Sequence, residues 1–210
     1  HEQQCIKFYV FCQGKMPDKR KEETIGLYFF EKVCYNNTVI LLWSCIPMII
    51  VGIEPGYAIV GFGALGYTDG KFTVLDYGAI TTPARIKTET RLSEIYDGIC
   101  ELCDTYRPDA LSIEELFFNS NATTAVNVCQ ARGVMLLAAA KRGIPIFEYT
   151  PLQIKQAVTG YGRAEKHQII AMVTTLLSLK APPKPDDTAD ALAAAICHAY
   201  CSSSALFSLS

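Results

Sequence analysis

The chain is short of charge: Lys, Arg, Asp and Glu together make up 19% of its 210 residues, and the formal balance is −2. Beyond residue 47 the acids outnumber the bases. This excludes a surface that holds polyanions by bulk positive charge and leaves only bases gathered locally on one face. No apolar run reads as a bilayer crossing, since the best stretch, Thr38 to Ile53, is interrupted by Pro47 and falls short of the roughly 20 residues a helix needs. A secretory leader is not expected either, because the N-terminal segment lacks the basic, apolar, cleavage-site order. The cytoplasm is therefore the expected compartment. Nine cysteines raise the question of disulfides or zinc. Cys100, Cys103, Cys129 and Cys197 fall within helix-like apolar patterns, and the Cys-x-x-Cys spacing of Cys100 and Cys103 has no second pair to complete a zinc set. Buried free thiols in a reducing compartment are the expectation.

What is present suffices for one core. Half of the residues are hydrophobic, enough at this length for a single full-sized domain. Residues 1–47 differ from the rest: they mix polar runs with KMPDKRKEE, begin at His1 and hold Cys5, Cys12, Cys34 and Cys45. They are expected to be an extension outside the domain, non-native to it or poorly ordered: upstream sequence read in frame, an appended segment, or a dispensable arm. Met48 opens the ordered pattern, so the domain is placed at 48–201 and a tail at 202–210.

Within the domain, MIIVGIE, AIVGFGAL and FTVLDYGAI read as strands joined by turns at Pro55 and Gly56 and at Asp69 and Gly70, an antiparallel meander. Leu92, Ile95, Tyr96, Ile99, Leu102 and Cys103 recur at helical spacing, and after Pro108 comes a fourth strand, DALSIEE. An Ala-rich helix from Asn121 to about Arg142, ended by Gly143, leads to a fifth strand, IPIFEY. Thr150, Pro151 and Gln153 read as a capped helix start, and two more helices open near Ala164 and Asp187. The sum is an α/β fold with a mixed five-stranded sheet, three antiparallel strands then alternating helix and strand, flanked by helices. This is the element order of the ribonuclease H-like architecture.

Four carboxylates stand out. Glu54 and Glu114 close apolar strands, while Asp187 and Asp190 open an Ala-rich helix at i, i+3 spacing. Acids gathered at strand ends repel one another and lose hydration, which a divalent cation with oxygen ligands relieves. The pattern points to Mg²⁺-dependent phosphoryl transfer. On position alone, Glu54 also reads as a solvated turn acid, and Asp187 and Asp190 as acids offsetting a helix dipole. Glu115 and Asp186, their near neighbours, read as solvated or capping residues.

The segments IIVGIEPGYAIVGFG, DYGAI, RPDALSIEELFF, QARGV, EYTPLQIKQAVTGYGRAEK and DDTADALAAAICH, in this order across residues 48 to about 200, resemble the RuvC family of Holliday-junction resolvases. The resemblance implies a homodimer that binds four-way junction DNA and makes paired symmetric nicks with Mg²⁺, leaving 5′-phosphate ends. Mn²⁺ substitutes, with one or two ions per subunit, and a branch-migration helicase complex of the RuvA and RuvB type is the implied partner. By motif it implies Glu54, Glu114, Asp187 and Asp190 as metal ligands, with Glu54 bridging two ions, and Lys155 and Lys166 as positively charged catalytic residues near the scissile phosphate. It further implies DNA contacts by Phe117, an aromatic that opens and stacks bases, and by Arg132 and Arg163. Phe118 is the adjacent aromatic, and the two cannot face the same side of a strand. His198 reads equally as a packed partner or a site residue, and His167 lies on a helix. The Ala-rich helix fits a dimer interface or ordinary packing on the sheet.

One position departs from the family. Its first acid is Asp, and here it is Glu54, which moves the carboxylate by roughly 1.5 Å where Mg²⁺ demands near-ideal geometry. An error of about 1 Å in such a constellation costs around 10²-fold in rate. Other readings compete: a junction binder that does not cut, a YqgF-type nuclease acting on RNA, and a sugar kinase or chaperone ATPase of actin-like fold. The last needs two such domains and far more chain.

Overall fold

The computed structural model describes residues 7–13, 27–35, 38–116 and 122–208, and the chain divides into two compact units, residues 1–47 and 48–210. In the first unit, β1 (Lys7–Gln13), β2 (Leu27–Tyr35) and β3 (Thr38–Cys45) pair antiparallel as a three-stranded meander. No element had been expected there. The β-rich composition of KFYVFCQ, LYFFEKVCY and TVILLWSC accounts for the strands.

The second unit runs β4 (Met48–Glu54), β5 (Ile59–Thr68), β6 (Lys71–Thr81), α1 (Thr88–Tyr106), β7 (Ala110–Glu114), α2 (Ala122–Lys141), β8 (Ile146–Tyr149), α3 (Pro151–Thr159), α4 (Lys166–Leu176) and α5 (Asp186–Ser208). Its sheet has the order β6-β5-β4-β7-β8. The β4–β5 and β5–β6 pairs are antiparallel, and β4–β7 and β7–β8 are parallel. This is the architecture expected from the sequence. Residues 202–208, expected as a tail, continue the last helix. Thr150 caps α3, its Oγ1 accepting from Gln153 N at 3.2 Å while Gln153 Oε1 accepts from Thr150 N at 2.8 Å, the capping box that the sequence implied.

Strand alternation divides the core. Val51 and Ile53 of β4 and Leu111 and Ile113 of β7 pack with Ile95 and Ile99 of α1 and Met135 of α2. Ile50, on the other face, joins Ile154 of α3, Ile169 of α4 and Leu192 and Ile196 of α5. Because successive side chains point to opposite faces, Gly52 and Glu54 share the face of Ile50, and Ser112 and Glu114 lie on the same face of β7. That face is covered by α5, which sits unusually close. A Cβ on Gly52 would stand 2.0 Å from the Ala191 carbonyl oxygen, and one on Gly61 2.1 Å from that of Asp187. Ser112 Oγ donates to the Ala194 carbonyl at 2.7 Å, joining strand and helix.

Cys100, Cys103, Cys129 and Cys197 are free thiols. Only Cys103 and Cys197 of these are buried; Cys129, expected inside, is exposed because it lies on the outward face of α2. Among the described residues no helix is long and apolar enough to cross a membrane.

Gly52→Ala is expected to destabilise the chain by about 1–3 kcal/mol in urea unfolding, because the methyl group meets backbone that cannot yield. Gly133→Ala in α2, where an added Cβ meets nothing within 4 Å, is expected to stabilise by up to about 1 kcal/mol.

Candidate active site

Parallel pairing of β4 with β7, with Ile53 opposite Ile113, sets Glu54 and Glu114 side by side at the same end of neighbouring strands. The first turns of α5 deliver Asp187 and Asp190 to that end, held down by the close approach at Gly61 and Gly52. A cleft of about 220 Å³ opens there, lined by Glu54, Glu114 and Asp190, by Pro151, Ile154 and Lys155 of α3, and by Lys166 and Ile169 of α4. Three of the four expected acids and both expected lysines thus line one cavity.

Asp187 is half-buried one turn before Asp190 and does not line the cleft. Among the described residues, no three Asp, Glu, His or Cys side chains converge closely enough to hold an ion as they stand. The expected four-acid cluster is therefore only partly assembled. Lys166 Nζ forms an ion pair with Asp190, so one candidate ligand is already engaged.

The electrostatics follow from crowding. Burial, then the neighbouring Glu114 carboxyl, pushes Glu54 from its ordinary 4.5 up to about 10. Burial also raises Glu114, partly offset by the neighbouring Glu54 carboxyl. Asp190 ends above the usual range because burial outweighs the Lys166 ammonium. Burial acts to lower Lys166, yet Asp190 prevails and the ammonium is held more firmly than usual. Glu54 Oε2 is buried without a hydrogen-bond partner among the described residues. An orphaned carboxylate oxygen in an all-oxygen donor set fits a hard divalent cation, which would replace the missing donors.

The other expected residues are placed as follows. Arg132 turns inward: its Nε donates to the Glu114 carbonyl at 3.3 Å, and its Nη2 pairs with Glu148. Arg163 is exposed on the loop between α3 and α4. Phe117 and Phe118 lie outside the described residues. Glu115 N donates to the Tyr149 carbonyl at 2.9 Å, closing the β7–β8 ladder. His198 is a packed partner, buried with its Nδ1 2.8 Å from Tyr149 Oη and its ring 4.2 Å from that of Phe147. His167 pairs on the surface with Glu165 at 3.3 Å.

Two supporting residues escaped the sequence reading. Ser112 ties β7 to α5 two positions before Glu114, a role visible in strand period but not in residue type. Arg91 is buried, lies 4.6 Å over the Tyr57 ring, and donates to Thr82 Oγ1 at 2.7 Å and to the carbonyls of Tyr57 and Pro83. It pins the turn that follows Glu54. The i, i+4 series Arg91, Ile95, Ile99 placed it on the buried helix face, and only its charge argued against that reading.

The family profile described as Crossover junction endodeoxyribonuclease RuvC matches residues 50–198. The chain belongs to the RuvC family. It is 58% identical over 153 residues to the crossover junction endodeoxyribonuclease RuvC of Clostridioides difficile strain 630, covering 73% of this chain and 90% of that protein. With the RuvC of Ruminiclostridium cellulolyticum it shares 61% identity over 151 residues, 72% of this chain and 91% of the other. The solved structure of Thermus thermophilus RuvC in complex with Holliday junction substrate superposes with a TM-score of 0.72 at 34% identity, covering 75% of this chain and 96% of that one. RuvC proteins are metal-dependent nucleases, consistent with the oxygen donors in the cleft.

The sign of the pH response follows from the raised carboxyls. In EDTA each is more easily ionised in the unfolded chain, so each contributes stability at low pH that is lost as pH rises; for Glu54 that contribution is complete below pH 4.5 and is lost as pH rises toward about 10. Differential scanning fluorimetry from about pH 6 to about pH 9 is expected to show a falling melting temperature, with Glu54→Gln flattening the slope and melting higher than the parent at the alkaline end.

Proposed function

We infer that this chain is a structure-selective endonuclease that resolves four-way DNA junctions by paired symmetric nicks in recombination and repair. The observation that carries the reading is the cleft in which the ends of β4, β7 and α5 present Glu54, Glu114 and Asp190 opposite Lys155 and Lys166. The family match over residues 50–198 supplies the substrate class.

Glu54, Glu114, Asp187 and Asp190 would hold Mg²⁺, with Mn²⁺ able to substitute and one or two ions per subunit. A bound ion supplies Lewis-acid polarisation of the phosphate and a more acidic water. The chain's own residues do the rest. Lys155 and Lys166 neutralise non-bridging oxygens of the scissile phosphate, and the rigid strand ends fix the attacking water's approach. Attack forms a new P–O bond and breaks the bond to the 3′ oxygen, which leaves with a proton as a 3′-hydroxyl, and the other end keeps the 5′-phosphate. Phe117 stacks on bases near the junction centre, with Phe118 beside it, and Arg163 contacts the DNA backbone. Arg132 acts from behind, steadying the end of β7. Residues 48–201 carry the activity, residues 1–47 are dispensable for it, and the enzyme works in the cytoplasm with a branch-migration helicase complex of the RuvA and RuvB type.

Incubating the full chain with a labelled four-way junction and Mg²⁺ or Mn²⁺ tests the reading. Paired nicks are expected from the full chain and from residues 48–210 alike, with a loss of at least about 10²-fold in Glu114→Gln and Asp190→Asn. Glu54→Asp restores the family's shorter acid and is expected to raise the rate by up to about 10²-fold. Binding without cutting, restored by Glu54→Asp, would instead describe a junction binder disabled at one residue, and absence of junction-selective binding would overturn the assignment.

Two cuts across a two-fold junction call for two copies of the site. An exposed stripe on α2 supports a homodimer: Val126 (56% exposed), Cys129, Gly133 and Leu137 (52%) lie on one helix face, and the space beside Gly133 is open. Such a stripe suits close helix–helix contact. Leu137→Glu is expected to turn a dimer into a monomer in sedimentation velocity and to convert paired nicking into slow single nicks.

A further inference from the structure

The loop between α3 and α4 presents an aromatic that the cleavage machinery does not use. Tyr161 is 58% exposed and Leu152, in the first turn of α3, is 62% exposed. Gly162, next to Tyr161, packs on Leu152: a Cβ there would stand 2.4 Å from Leu152 Cδ1, so the loop folds back against the first turn of α3. The loop is held on both sides of the ring. Tyr161 N donates to Thr159 Oγ1 at 3.1 Å, Ala164 N donates to the Tyr161 carbonyl at 3.1 Å, and Gln156 Nε2 donates to the Gly160 carbonyl at 2.9 Å. The Tyr161 hydroxyl meets no hydrogen-bond partner among the described residues. Its backbone is fixed while its ring is offered to solvent, an arrangement already organised for a ligand.

The position of the loop narrows the choice of ligand. Pro151, Ile154 and Lys155 of α3 line the cleft, so Leu152 and the loop packed on it form the adjoining rim. Lys155 and Lys166 lie in the cleft, and Arg163 is exposed two residues after Tyr161. An aromatic face flanked by cations beside a phosphate-binding cleft is the combination that single-stranded nucleic acid selects. Two side chains are too small a patch for a stable protein partner, which typically covers about 800 Å² on each side.

We propose that Tyr161, on the loop that Gly162 seats against Leu152, is a stacking platform for an unpaired base on the strand entering the cleft, with Arg163 taking a neighbouring phosphate. The proposal rests on the junction-cleaving reading above and adds a base contact outside the catalytic acids and lysines. Any base has a face to offer, so the contact favours unpaired over paired DNA without reading sequence.

Trp43 is the only tryptophan, which allows a direct optical test in the full chain. In a Trp43→Phe, Tyr161→Trp variant titrated with a four-way junction in EDTA, indole emission is expected to be quenched saturably, and less by a fully paired duplex of the same sequence. Tyr161→Ala is expected to weaken junction binding at least about fivefold with an unchanged melting temperature, while Tyr161→Phe binds as the parent does. Emission that stays constant while anisotropy of a labelled junction reports saturation would overturn the proposal, as would parental affinity in Tyr161→Ala. If the parent binds and cuts junctions and Tyr161→Ala matches it, this proposal alone fails. If the parent does neither, the cleavage reading fails and takes this one with it.

Discussion

The contact of α5 with β4 and β5 decides where the acids go. Helix and sheet ordinarily stay apart by the thickness of two layers of side chains, but Gly52 and Gly61 remove one layer and the alanines of α5 thin the other. The backbone carbonyls of Asp187 and Ala191 then lie directly over the strands. At a looser spacing Asp190 would stand clear of the cleft that Glu54 and Glu114 share. Ser112 adds a hydrogen bond to the Ala194 carbonyl in the same buried layer, where an unpaired hydroxyl would be penalised. The glycines and alanines, which carry no chemistry, therefore fix the distances between residues that do.

Such closeness has an electrostatic consequence. Three carboxyls in one cleft cannot all ionise without a counter-charge, and the chain provides only a partial one. Lys166 pairs with Asp190, while burial and crowding hold Glu54 and Glu114 above the usual carboxylate range. The cleft is thus a site of crowded carboxyls whose repulsion a bound cation would relieve, which would couple stability to metal binding through the same groups.

Legibility in the sequence followed the physics of each element. Apolar runs placed Glu54 and Glu114 at strand ends, the Thr150 and Gln153 pair announced the start of α3, and the i, i+3 spacing of Asp187 and Asp190 put both at the head of one helix. These are local rules, and local rules reveal direction. They do not reveal depth or partner. Asp187 stays outside the cleft that Asp190 lines although both open the same helix, and Arg132 turns inward because Glu148, on β8, stands within reach. Arg91 went unnoticed because charge is a poor guide when carbonyls and an aromatic ring, rather than a carboxylate, receive the guanidinium. In residues 1–47, the polar runs masked short β-rich segments that needed only one another to pair.

The two sides of the cleft are built from different material, and the contrast bears on how a phosphodiester enters. Acids come from the sheet and α5, whereas Lys155 and Lys166 come from α3 and α4. Both of these helices begin at the cleft: Pro151 opens α3, and Lys166 is the first residue of α4. Their starts are fixed by side-chain contacts to the N-cap backbone, Gln153 Oε1 accepting from Thr150 N and Gln168 Oε1 accepting from Glu165 N, each at 2.8 Å. Helix starts carry partial positive charge, so dipoles and ammonium groups favour an anion on the α3 and α4 side. A DNA phosphate approaching the carboxylates alone would be repelled. The α3 and α4 wall offers it compensating charge beside the acids, and the caps keep that wall in place.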